Sequence, residues 1–149
     1  MTNNIIWNIF ADHEHNIWLG TDYGISLSRY NSALQFIPIS QITGTGDGNQ
    51  FYSLFRDSKG FYWFGGANGL IRFTDPAGER HDAIWYRMGD KTYPLSHNRI
   101  RHIYEDKEQQ LWIATDGSIN RYDYATRQFI HYNIVDNTGT YNTNWTYYI

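Results

Sequence analysis

Carboxylates, imidazoles and flat aromatic rings are the side chains in this sequence that could do chemistry. Asp12, Asp57 and Asp106, with the adjacent pair Glu105-Asp106, could supply general acids, bases or metal ligands, and His13-Glu14-His15 adds imidazoles to a carboxylate, as zinc sites do. Trp18, Trp63 and Trp112 could stack on sugar rings, and Gly44-Thr45-Gly46-Asp47-Gly48 has the glycine content of a phosphate-cradling loop. Each has a plainer reading. The His-Glu-His run sits in one polar stretch without a distant third ligand, which predicts a solvated turn. The glycine loop lacks a Gly-Lys-Ser/Thr ending and leads into an apolar run, which predicts a connection. Glu105 and Asp106 are neighbours in an extended run, so they point to opposite faces and cannot act on one bond.

The elements that must position these residues recur along the chain. Asn4-Ile5-Ile6-Trp7-Asn8-Ile9-Phe10-Ala11-Asp12 is followed by Asn49 to Asp57 and then by Asn98 to Asp106, each an Asn, apolar anchors and a closing Asp. Six residues after each Asp stands a tryptophan motif: Trp18-Leu19-Gly20-Thr21, Trp63-Phe64-Gly65-Gly66 and Trp112-Ile113-Ala114-Thr115. The step from Trp18 to Trp63 is 45 residues and from Trp63 to Trp112 is 49. A third run follows, Ser28-Arg29-Tyr30, Ile71-Arg72-Phe73 and Asn120-Arg121-Tyr122, and a fourth closes the unit as Phe129-Ile130-His131-Tyr132. On this alignment the first unit has 11 residues from Trp18 to Arg29 where the others have nine, and the second unit replaces its ending with a long stretch, Pro76 to Met88.

Four short apolar runs per unit, punctuated by Asp, Gly and Asn, predict a four-stranded antiparallel meander, and a period of 40 to 50 residues predicts propeller blades. A single such sheet has two apolar faces and needs a neighbour on each. Bulky residues on both faces are therefore expected in Ile5-Ile6-Trp7 and Phe61-Tyr62-Trp63-Phe64, and the three tryptophans are expected to fill the space between blades. Each Asp is expected to open a hairpin turn and accept its amides. The fold predicted is all-β: a β-propeller fragment of three four-stranded blades, over about 3–40, 48–90 and 97–134, plus the first strand of a fourth at 142–149.

The run from Asn98 to Tyr132, with Leu-Trp-Ile-Ala-Thr, Asn-Arg-Tyr-Asp and Thr-Arg-Gln-Phe-Ile-His-Tyr, resembles the two-component regulator propeller repeat. The resemblance implies the extracytoplasmic, periplasmic sensor region of a bacterial hybrid histidine kinase, where whole propellers detect carbohydrate-derived ligands. Any kinase would lie in other sequence, so an enzyme is not expected here. An enzyme would require convergent carboxylates or a His-based metal site on one rim, and matching repeat positions supply neither.

Composition narrows the partners. The 149 residues are 18% aromatic with 13 Tyr, 8 Phe and 6 Trp, and no cysteine, so neither disulfides nor thiolate metal sites are available. Net charge is −3 and the 12 Lys and Arg are dispersed, which argues against nucleic acid. No segment approaches the ~18 apolar residues of a membrane helix, and Met1-Thr2-Asn3-Asn4 lacks the basic and apolar regions of a signal peptide. No cofactor or metal is expected. Because rings need about four to eight blades, self-association or the remaining blades of a larger propeller should cover the end faces.

Shared features explain structure, so function is expected where the units differ. Loops from the second to the third strand and from one blade to the next meet at one rim. They offer Asp22 and Tyr23, Asn68 and Asp116, then Asp47, Tyr93, His97 and Tyr141. Of these, Tyr23, Asn68, Tyr93, His97 and Asp116 form the candidate surface for a polar, ring-shaped ligand such as an oligosaccharide. The competing expectation is a structural fragment without a ligand of its own.

Overall fold

A computed structural model describes residues 5–31, 37–38, 50–74 and 83–133, and all regular structure in them is strand. Among the described residues twelve strands form three sheets. Blade 1 contains β1 (Ile6–Ala11), β2 (Ile17–Thr21), β3 (Gly24–Ser28) and β4 (Ile37–Pro38). Blade 2 contains β5 (Phe51–Arg56), β6 (Tyr62–Gly66), β7 (Gly69–Phe73) and β8 (Ile84–Tyr86), and blade 3 contains β9 (Ile100–Glu105), β10 (Leu111–Thr115), β11 (Ile119–Asp123) and β12 (Gln128–Tyr132). Each sheet is an antiparallel meander in chain order. The blades meet at their first strands, with β1 against β5 and β5 against β9. The expected fourth-blade strand and the loop Gly44 to Gly48 lie outside the described residues.

The Asp turns explain how each blade begins. His15 N donates to Asp12 O, Gly60 N to Asp57 O and Gln109 N to Asp106 O, each at 3.0 Å, closing a turn whose last residue has positive φ. His15 (φ 62°) is therefore the left-handed residue of a bulged hairpin turn, in the place that Gly60 takes in blade 2. The carboxylates accept the turn amides as expected: Asn16 N at 2.9 Å, Phe61 N at 2.8 Å and Gln110 N at 2.8 Å. Each also accepts the indole N–H of the tryptophan six residues on, at 2.8, 2.7 and 2.7 Å for Trp18, Trp63 and Trp112. The Asp-to-Trp spacing is thus a hydrogen bond between paired strands.

Two apolar seams hold the blades together. Trp18, Ile25 and Leu27 of blade 1 pack on Leu54, Tyr62, Phe64 and Ile71 of blade 2, and Trp63 and Leu70 of blade 2 pack on Ile100, Ile103, Leu111 and Tyr122 of blade 3. Strand β6 alternates accordingly, Tyr62 and Phe64 toward one neighbour and Trp63 toward the other. Gly20 and Gly65 permit close approach: a Cβ on Gly20 would lie 2.6 Å from Phe51 O, and one on Gly65 would collide with Ile100. Ser53 adds a polar tie, its Oγ accepting from Ile103 N at 3.0 Å across the second seam.

Three sequence expectations are corrected. Trp18 pairs with Leu27, Trp63 with Arg72 and Trp112 with Arg121, so the third strands align without an insertion in blade 1. Ser26-Leu27-Ser28, not Ser28-Arg29-Tyr30, is the counterpart of Ile71-Arg72-Phe73, and the Arg-aromatic match at Arg29-Tyr30 is a coincidence beyond the strand. Trp112 is not enclosed as Trp18 and Trp63 are. It lines a recess of about 370 Å³ with Tyr104, Ile119 and Tyr132 on the outer face of blade 3, where no described blade follows. Ile5, Ile6 and Trp7 are exposed rather than packed on both faces.

Candidate functional site

Strand pairing places the start of each first strand beside the hairpin joining the second and third strands, at the end of the blade opposite the Asp turns. Each first strand is irregular at the same place there. The register slips between Ile6 and Asn8, between Phe51 and Ser53, and between Ile100 and His102. The residues left out of the ladder are Trp7, Tyr52 and Arg101. A bulge turns its extra residue away from the sheet's regular pleat, a device that proteins use to aim side chains at sites.

All three bulged side chains lean onto this rim. Trp7 Nε1 donates to Asp22 Oδ1 at 2.6 Å. Arg101 makes the equivalent contact in blade 3, its Nε donating to Asp116 Oδ1 at 2.6 Å and its Nη2 to Asp116 Oδ2 at 3.1 Å. Blade 2 has Ala67 where the others have Asp22 and Asp116, so Tyr52 finds another partner. Its hydroxyl donates to Gln50 Oε1, and Gln50 Nε2 donates to Asp22 Oδ1 at 3.2 Å. Tyr52 also meets Trp7 edge to face, with ring centroids 5.5 Å apart. Trp7 is 53% exposed, so an indole fixed at its nitrogen still presents surface to solvent.

The hairpins that carry the acids are themselves fastened. Thr21 Oγ1 donates to Gly24 O at 2.9 Å and Thr115 Oγ1 to Ser118 O at 2.8 Å, and each hydroxyl accepts an amide of its own turn. Backbone bonds from Ala67 N to Gln50 O (2.8 Å) and from Asp116 N to Arg99 O (3.2 Å) hold hairpins to first strands.

The sequence candidates distribute unevenly around this rim. Asp116 lies at its centre in blade 3. Tyr23 is exposed on the blade 1 hairpin, and Asn68 is exposed on the blade 2 hairpin, its carbonyl accepting from Arg87 Nε at 3.1 Å. His97 stands beside the blade 3 cluster, its Nδ1 accepting from Arg99 N at 3.0 Å. Tyr93 instead packs edge to face on Tyr86, 5.6 Å between centroids, within the second seam. Asp47 and Tyr141 lie outside the described residues. Trp7, Tyr52 and Arg101 escape a reading by composition because they sit inside strands; the signal is that this position changes from Trp to Tyr to Arg while the residue before it, Ile6, Phe51 or Ile100, stays apolar.

The carboxylates first considered for chemistry are committed elsewhere. Asp12 Oδ2 accepts from Trp18, from Asn16 at 3.0 Å and from the Tyr62 hydroxyl at 3.2 Å. Burial alone raises the Asp12 carboxyl, but these bonds outweigh it and hold the group below the usual carboxylate range. Asp57 Oδ2 accepts the Tyr124 hydroxyl of blade 3 at 2.7 Å, and burial followed by this bond pushes the Tyr124 phenol far upward, so it stays a donor. Glu105 clamps Ser58 of blade 2 through its amide and its hydroxyl, both at 2.9 Å. Glu14 pairs with Arg56 at 3.1 Å. Among the described residues no group of three His, Cys, Asp or Glu side chains could hold a metal ion.

The family profile of the two component regulator propeller matches residues 1–23, 45–68 and 94–117, covering the first strand, the Asp turn, the Trp strand and the following hairpin of each blade. These are two-component regulator propeller repeats. The repeats are 99% identical, over 97% of the chain, to part of the crystal structure of the extracellular domain of the hybrid two component system BT4673 from B. thetaiotaomicron, with a TM-score of 0.69. The extracellular domain of the hybrid two component system BT3049 from the same organism matches at 26% identity over 89% of the chain, TM-score 0.68. The chain spans only 20% and 17% of those two domains. An ancestral GH74 enzyme matches at 8% identity and TM-score 0.69, a likeness of fold alone. No curated protein matches the repeats.

Proposed function

We propose that this segment is part of the extracytoplasmic, ligand-sensing propeller of a bacterial hybrid two-component system, that its bulge rim contacts a carbohydrate-derived ligand, and that occupancy is passed to a histidine kinase elsewhere in the parent protein. The observation that carries the ligand reading is the row Trp7, Tyr52 and Arg101. One bulged side chain per blade, each supported by a hydrogen-bonded partner, supplies an aromatic surface and fixed polar groups to a polar ring. The near identity to the extracellular domain of a hybrid two component system supports the location and the sensing role. Binding rather than catalysis fits a rim whose acids Asp22 and Asp116 serve to orient Trp7 and Arg101. The end faces of blades 1 and 3 are covered in the parent by adjoining blades, and in the isolated chain by a second copy.

The test is glycan binding by the intact extracellular domain. Trp7→Ala and Tyr52→Ala are expected to weaken a retained oligosaccharide about 10-fold or more each, the scale of losing an aromatic stacking contact. Retention unchanged in both variants removes the rim from the ligand surface.

A further inference from the structure

We propose that the blade 3 end of this rim reads an anionic substituent, a carboxylate or a sulfate, on the ring that Trp7 and Tyr52 face. The inference rests on the carbohydrate reading above and narrows it to acidic saccharides. Arg99 and Arg101 flank the start of the bulge and both approach one carboxylate, Asp116. Arg101 is engaged on two nitrogens at 2.6 and 3.1 Å. Arg99 reaches the same carboxylate only at 3.9 Å and leaves 46% of its side chain exposed, against 11% for Asp116. Among the described residues two guanidinium groups stand against the one carboxylate of Asp116, on a chain whose formal net charge is −3.

Asp116 is spent in orienting its neighbours. It fixes the plane of Arg101, while its amide donates to Arg99 O and so anchors the backbone that projects the second guanidinium. The exposed guanidinium suits a planar or trigonal array of anionic oxygens, which it can grip through two parallel N–H donors. At the blade 1 end the balance differs, because Asp22 accepts from the neutral donors Trp7 and Gln50. The rim therefore passes from aromatic to cationic along the contacting first strands β1, β5 and β9.

The experiment uses the intact extracellular domain on an array in which every uronate-bearing and every sulfate-bearing oligosaccharide is paired with its neutral counterpart. Retention of the acidic member alone is expected, with carboxylate and sulfate arms separating the two sources. Arg99→Gln, exposed enough to leave folding unchanged by thermal melt, should weaken the retained glycan about 10- to 100-fold, as for a lost hydrogen bond to a charged group. Arg99→Lys should recover only part of it. Equal retention of neutral counterparts, or acidic glycans indifferent to Arg99→Gln, overturns the proposal and leaves the carbohydrate reading standing. Retention of no glycan at all overturns both.

Discussion

Asp57 accepts hydrogen bonds from the Trp63 indole, the Tyr124 hydroxyl and the amides of Lys59 and Phe61, so a single carboxylate joins turn, strand and neighbouring blade. Asp106 accepts from Trp112 and Gln110 within its own blade. Removing an acceptor from buried donors costs more than removing it from wet ones. Asp57→Ala is therefore expected to destabilise by about 2–4 kcal/mol and Asp106→Ala by clearly less, measured by urea unfolding. Asp12 sets a pH dependence. Its folded carboxyl titrates below the unfolded value of 3.8, so its contribution is complete above that value and is lost as pH falls through the folded one. Exchange of the Trp18 indole proton should accelerate as pH drops below about 4 by more than intrinsic acid catalysis of indole exchange provides, and Asp12→Asn should abolish that excess. An exchange profile identical in the variant would dissociate Asp12 from the seam.

Close packing of neighbouring strands governs the next scale. A methyl group at Gly65 would drive into the fully buried Ile100, a β-branched side chain with little freedom to move. Gly65→Ala is expected to cost about 1–3 kcal/mol through overpacking, read as a lower unfolding midpoint and faster amide exchange in β9. Ala114, at the equivalent position of blade 3, already carries its Cβ. Much of this level was legible beforehand. Repeat spacing delivered the four-stranded meanders, and Asp followed by polar residues delivered the turns, because both depend on local propensity. The third-strand alignment of blade 1 went astray by two residues because Arg29-Tyr30 imitates Arg72-Phe73, whereas true register is set by cross-strand partners. The bulges were not legible at all. A one-residue slip in pairing leaves no mark in composition, and Trp7 in an apolar run reads as core. Tyr93 shows the converse, a loop tyrosine that looks available for binding and is used to cover Tyr86.

At the scale of the molecule, burial is asymmetric. Trp18 and Trp63 are sealed by the blade that follows each, while Trp112 borders an open apolar recess with Tyr104 and Tyr132. The isolated chain is expected to associate with itself in sedimentation velocity runs, and Tyr132→Lys to shift it toward monomer; a monodisperse monomer at all concentrations would count against apolar end faces as the driving contact. In the intact domain, acrylamide should quench Trp112 far less than in the isolated chain made monomeric by Tyr132→Lys. The bulges have a different consequence at this scale. A residue left out of the pairing register can have its side chain exchanged without altering the sheet that carries it. Trp7, Tyr52 and Arg101 thus occupy sockets in a common frame, and trading their side chains among blades should rewrite what the rim prefers while the frame melts where it did before.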